Sequence, residues 1–166
     1  MKLPIPVLLL ILSNSLFGQT SNPFISLKFD KVVIYDFEGG KDLGIYIVNE
    51  HGQFAKTIRK QIQLDKSTIT TLNAKLGDKK SYGGVTASCF DPHLGIVYFL
   101  KDKAVANISI CLDCNRLRST VEIKAQKQGK VGSGDSAYYI ADGLSKSFRL
   151  YLNDLLKKHN FSHQLK

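Results

Sequence analysis

Three cysteines, set at the ends of two apolar stretches, constrain this chain more than any other feature of it. Cys89 precedes the run Gly95-Ile-Val-Tyr-Phe-Leu100, and Cys111 and Cys114 close the run that starts at Ala104. Both runs are rich in β-branched and aromatic residues, and Lys101-Asp-Lys103 between them reads as a turn, so the pair is a β-hairpin. A hairpin folds its two ends together. The thiols of Cys89, Cys111 and Cys114 and the imidazole of His93 should therefore meet at the open end of one ribbon.

Those four groups suit zinc, which takes thiolate and imidazole in a tetrahedron and often draws two ligands from one tight turn. Cys111-Leu-Asp-Cys114 has that spacing, and Asn115 tolerates the positive φ that the residue after such a turn adopts. Cys89-Phe-Asp-Pro-His93 supplies the second pair, giving a Cys3His knuckle of Cys89, His93, Cys111 and Cys114 with Asp91 or Asp113 as a spare ligand or an acceptor for the imidazole. Two other readings stay open. A disulfide from Cys89 to Cys111 or Cys114 would staple the hairpin base and contribute on the order of 3 kcal/mol, leaving one thiol free. A redox-active Cys111–Cys114 pair is the third, although Asn115-Arg-Leu-Arg-Ser-Thr-Val-Glu-Ile lacks the helical period that thioredoxin-like chemistry uses.

The start of the chain bears on this choice. Residues 1–18 carry one lysine, a short apolar run and a small-residue end, which reads as a secretory signal peptide cut after Gly18. The run is too short for a membrane span of about 20 residues, and no second apolar stretch follows. Export, to the periplasm or beyond, would expose the cysteines to oxidants. The whole chain has 166 residues and a net charge of +9, of which Lys2 contributes one. That charge would suit an anionic partner, but the basic residues are scattered without a nucleic-acid motif, so a solvated basic surface is the simpler account and no nucleic acid is expected.

Periodicity divides the rest into a flexible start at 19–27 and one α+β domain over 28–166. Strands are expected at 29–36, 43–48 and 54–64, punctuated by Glu38-Gly39-Gly40 and Asn49-Glu-His-Gly52, ahead of the hairpin. A helix is expected after Leu64, with Asp65 as cap, Ile69, Leu72 and Leu76 as its buried stripe, and Gly77 as a left-handed stop. Residues 124–143 read mostly as loop. A closing helix follows, capped by Ser145 and burying Phe148, Leu152, Leu155 and Leu156. The expected architecture is an antiparallel sheet of about five strands with two helices on one face, and the Cys/His cluster at the base of the last hairpin.

No motif assigns an enzymatic activity. Gly134-Asp135-Ser136 lacks a nucleophile elbow, and Gly129-Lys-Val-Gly-Ser-Gly134 lacks the P-loop spacing. His159 and His163 are four apart but lie at a fraying helix end, so a site between them is not expected.

Tyr82-Gly83-Gly84, Cys89-Phe90-Asp-Pro92-His93-Leu-Gly95-Ile96-Val97, Ile108-Ser-Ile110-Cys111-Leu-Asp-Cys114-Asn115 and the Gly143-Leu144-Ser145 helix start together resemble a group of small secreted or lipid-anchored bacterial proteins. The Phe-Gly-Gln end of the apolar run is similar to that of exported proteins of Bacteroidetes. The resemblance implies that the cysteine cluster matters and implies no substrate. In that group a basic residue or a histidine often follows the position of His93, where this chain has Leu94.

Overall fold

The computed structural model describes residues 22–131, 133, 134 and 138–165. The signal peptide expected at 1–18 and the Asp135-Ser136 pair lie outside them. The elements in chain order are α1 (Pro23–Ser26), β1 (Lys31–Asp36), β2 (Lys60–Gln63), α2 (Lys66–Gly77), a 3-10 turn at Lys79–Ser81, β3 (Tyr82–Gly84), β4 (Leu94–Leu100), β5 (Lys103–Cys111), β6 (Arg116–Ser119), β7 (Gln128–Val131), β8 (Tyr138–Ala141), β9 (Gly143–Leu144) and α3 (Lys146–Lys158).

β2, β1, β4, β5 and β6 form one antiparallel sheet in that order. Lys101 and Asp102 join β4 to β5 with φ of 49° and 64°, the left-handed pair that a two-residue hairpin turn requires. Alternation sorts the side chains. Val32, Ile34, Leu94, Ile96, Tyr98, Ile108 and Ile110 face one way and pack with Leu72 and Leu76 of α2 and Phe148, Leu152 and Leu156 of α3. Both long helices therefore lie on one face, as the sequence predicts. Asp65 caps α2 through the N–H of Thr68, and Ser145 caps α3 through that of Phe148.

The opposite face carries Val33, Tyr35, Val97 and Phe99 and is covered by Phe37, Ile47 and Val48. Here the structure departs from the expected meander. Residues 43–48 form no strand, and of 54–64 only Lys60–Gln63 joins the sheet. Ile47 instead lies flat on the sheet: a Cβ on Gly95 would stand 2.5 Å from its Cγ1, and its N–H is satisfied by the Ser109 hydroxyl at 2.8 Å. A side-chain acceptor has replaced a ladder partner, so the apolar run serves as a cover.

Three further differences have local causes. Residues 124–143, read as loop, contain the β7–β8 hairpin. Gly77 ends α2 without a left-handed φ; its lack of a side chain makes room for Asn22, whose Cγ would stand 2.1 Å from a Cβ there. In the start read as flexible, Asn22 caps α1, and Phe24 is buried with its ring stacked on Tyr98 at 5.2 Å. Tyr98 in turn donates to Asn73 of α2 at 2.7 Å, and Asn22 donates to the Asn73 carbonyl at 2.8 Å. Among the described residues no helix is long and apolar enough to cross a membrane.

Candidate metal centre

Cys111 ends β5 and pairs with Arg116 of β6, so Leu112-Asp-Cys114-Asn115 is the turn between two neighbouring strands. Asn115 has φ of 53°, the left-handed conformation expected of it. Its buried side-chain amide donates to the carbonyls of Val85 and Leu144, each at 2.9 Å. Gly84 and Gly143 leave room for that amide: a Cβ on either would come within 2.6 or 2.5 Å of Nδ2. The turn is thus locked to the β3–β9 pair. Inside it the Cys114 N–H points at Cys111 Sγ, 3.1 Å away.

The opposite side of the site is the segment 85–93, which has little ladder of its own and is held by its flanks. Ala87 N–H bonds the Cys114 carbonyl at 3.0 Å, Arg116 reaches the Ser88 carbonyl at 3.3 Å, and the Arg118 guanidinium lies over Phe90. Pro92 is buried beside Gly39, and His93 N–H bonds the Ile110 carbonyl at 3.0 Å. These contacts bring exposed Cys89 to the knuckle, where its sulfur is 2.6 Å from that of Cys114. Cys111 and Cys114 are themselves at disulfide-pairing distance, with Cα atoms 5.3 Å apart. Cys111 lies on the Ser109 side of β5, as the period requires, and both residues are fully buried.

The structure therefore brings Cys89 and Cys111 each against Cys114. His93 belongs to a neighbouring group. Ligand atoms lying within 4.8 Å of one another fall into two sets, Cys89 with Asp91 and Cys114, and His93 with Asp113 and His163. The His93 and His163 rings stack with centroids 3.8 Å apart and planes 13° apart. His163 Nε2 is 2.7 Å from Asp113 Oδ2. Burial, and then the neighbouring His163, push His93 below the ordinary imidazole range, against the pull of Asp113, Glu38 and Asp91. A ring so placed is neutral at neutral pH, with a lone pair free for a metal.

Each set joins two soft or borderline donors to one hard carboxylate and could hold a metal ion. No known family, curated protein or solved structure matches the chain. Its chemistry must therefore be read from these groups alone.

His163 is the residue that sequence reasoning passed over. The tail does not fray: Asn160 turns back at φ 51°, Phe161 is buried, and Ser162 bonds both carboxylate oxygens of buried Asp36 at 2.6 and 2.9 Å. Asn153 of α3 then clasps Leu165 through its N–H and carbonyl. The available signal was Asn160-Phe161, a left-handed-tolerant residue followed by a large apolar one, which is how a chain folds back onto its own helix.

Proposed function

We propose that this is an exported metal-binding protein whose thiolates Cys89, Cys111 and Cys114 hold one zinc ion, with the Asp91 carboxylate as fourth ligand. What carries the reading is the meeting of three sulfurs from two separate segments. A covalent bridge satisfies two sulfurs; a metal satisfies three. Asp91 replaces the expected His93 because its carboxylate shares the group with Cys89 and Cys114, whereas His93 stacks on His163. Export rests on the signal-like composition of residues 1–18. A site closed by four protein ligands is structural, and metal binding there couples to folding of the 85–93 segment.

The pairing distance between Cys111 and Cys114 favours a second reading, thiol–disulfide exchange. The Cys89 thiolate would attack Cys114, a Cys89–Cys114 bond would form, and Cys111 would leave as a thiolate, with the electron pair of the broken bond. The native mass of the untagged protein, purified without chelator or added metal, separates the two. Zinc-loaded protein with three free thiols after denaturation is the expected result. A metal-free chain lighter by two hydrogens overturns the zinc reading in favour of the disulfide.

A further inference from the structure

The thiol group leaves two imidazoles and a carboxylate beside it with no assigned task. His93 enters from the start of β4, Asp113 from the β5–β6 turn, and His163 from the docked C-terminal tail, so three separate parts of the chain converge. Each is held in place by its backbone. His93 N–H bonds the Ile110 carbonyl, Asp113 sits in the turn locked by Asn115, and His163 follows the Ser162–Asp36 clasp. Such support of ligand positions from rigid neighbours is what a metal site needs.

A salt bridge alone does not account for the arrangement. His163 Nε2 is covered from solvent and makes no hydrogen bond, although Asp113 Oδ2 is 2.7 Å away. It is a covered nitrogen brought to a carboxylate without the direction of a hydrogen bond. The second imidazole lies face to face with the first. A metal lies in the plane of the imidazole that binds it, so His93 would turn out of this stack about its side-chain torsions to bring its lone pair to the edge where His163 Nε2 and Asp113 Oδ2 meet.

We propose that His93, Asp113 and His163 form a second metal site, separate from the thiols, for a divalent transition ion of the zinc class. Two imidazoles and a carboxylate suit zinc, cobalt or nickel better than calcium or magnesium. Three protein ligands leave a coordination position vacant, and the Asp113 side chain is 57% exposed, so that position opens to solvent. A closed thiolate site and an open imidazole site would then share one turn, because Asp113 stands between Cys111 and Cys114. The proposal does not rest on the thiolate reading.

Cobalt titration of the untagged protein tests both separately. Cobalt held by thiolates shows intense sulfur-to-metal charge transfer in the near ultraviolet, whereas cobalt held by nitrogen and oxygen shows only weak visible bands. The expected result is one equivalent without charge transfer, retained when the cysteines are oxidised and retained in the His51→Ala control. His163→Ala and Asp113→Asn should each weaken that equivalent by more than the roughly 10–100-fold that loss of a ligand's supporting partner costs. Asp113→Asn alters an exposed side chain and guards against a folding defect in the tail variant. If every bound equivalent shows charge transfer, or if the weak-band equivalent survives in both variants, the second site is overturned. Loss of the charge-transfer equivalent alone defeats the thiolate reading and leaves this one standing.

Discussion

Asn115 concentrates several demands in one residue: a left-handed backbone, a turn position directly after Cys114, and two carbonyl acceptors for its side chain. Asn115→Ala removes both donors and places a Cβ-bearing residue without a compensating bond in the left-handed region. The expected cost is about 2–4 kcal/mol, read as a lower urea midpoint at unchanged slope. The φ of Asn115 was legible in the sequence, since few other residues suit it. Its two bonds were not, because Val85 and Leu144 are about thirty positions away on either side and only the closed fold supplies them. Asp65 is the opposite case, a cap readable from its neighbours alone. The Ser67 hydroxyl, then the Thr68 N–H and hydroxyl, hold its carboxyl below the ordinary value of 3.8. A carboxyl depressed in the folded state stabilises fully above that ordinary value and loses its contribution as pH falls from there through its lowered folded value. Asp65→Ala should therefore melt below the native protein at pH 7, with the gap narrowing as the pH of the thermal scans drops below 3.8.

At the scale of elements, strong local patterns survived and one apolar run changed its task. The β4–β5 hairpin carried its own turn, and both long helices carried their caps and stripes, so neither needed distant information. Residues 43–48 have the composition of a strand, yet Ile47 fits against Gly95 and Ser109, and only the folded sheet presents that pair. The same holds for α1, too short to be stable by itself and made by the docking of Phe24 between α2 and Tyr98. Because Phe24 is fully buried, Phe24→Ala should cost about 3–5 kcal/mol in equilibrium denaturation. An unchanged midpoint would mean that this first turn merely rests on the core.

On the scale of the whole molecule, the sheet has two unlike ends. The chain enters at one: Phe24 stacks on Tyr98, and Asp30 N–H bonds the Phe99 carbonyl, both near the close of β4. His93 and the cysteine turn stand at the other, where β4 begins and β5 ends. Seven strand residues at about 3.3 Å each put roughly 20 Å between the two. Periodicity foretold the α+β class, but this polarity follows from strand order and from a tail that returns to the cysteine end through Phe161 and Ser162. It also decides how the protein is best handled. A support or fusion fastened ahead of residue 22 holds the molecule by its far end and presents the sulfur and imidazole groups outward, whereas one fastened behind His163 stands directly over them.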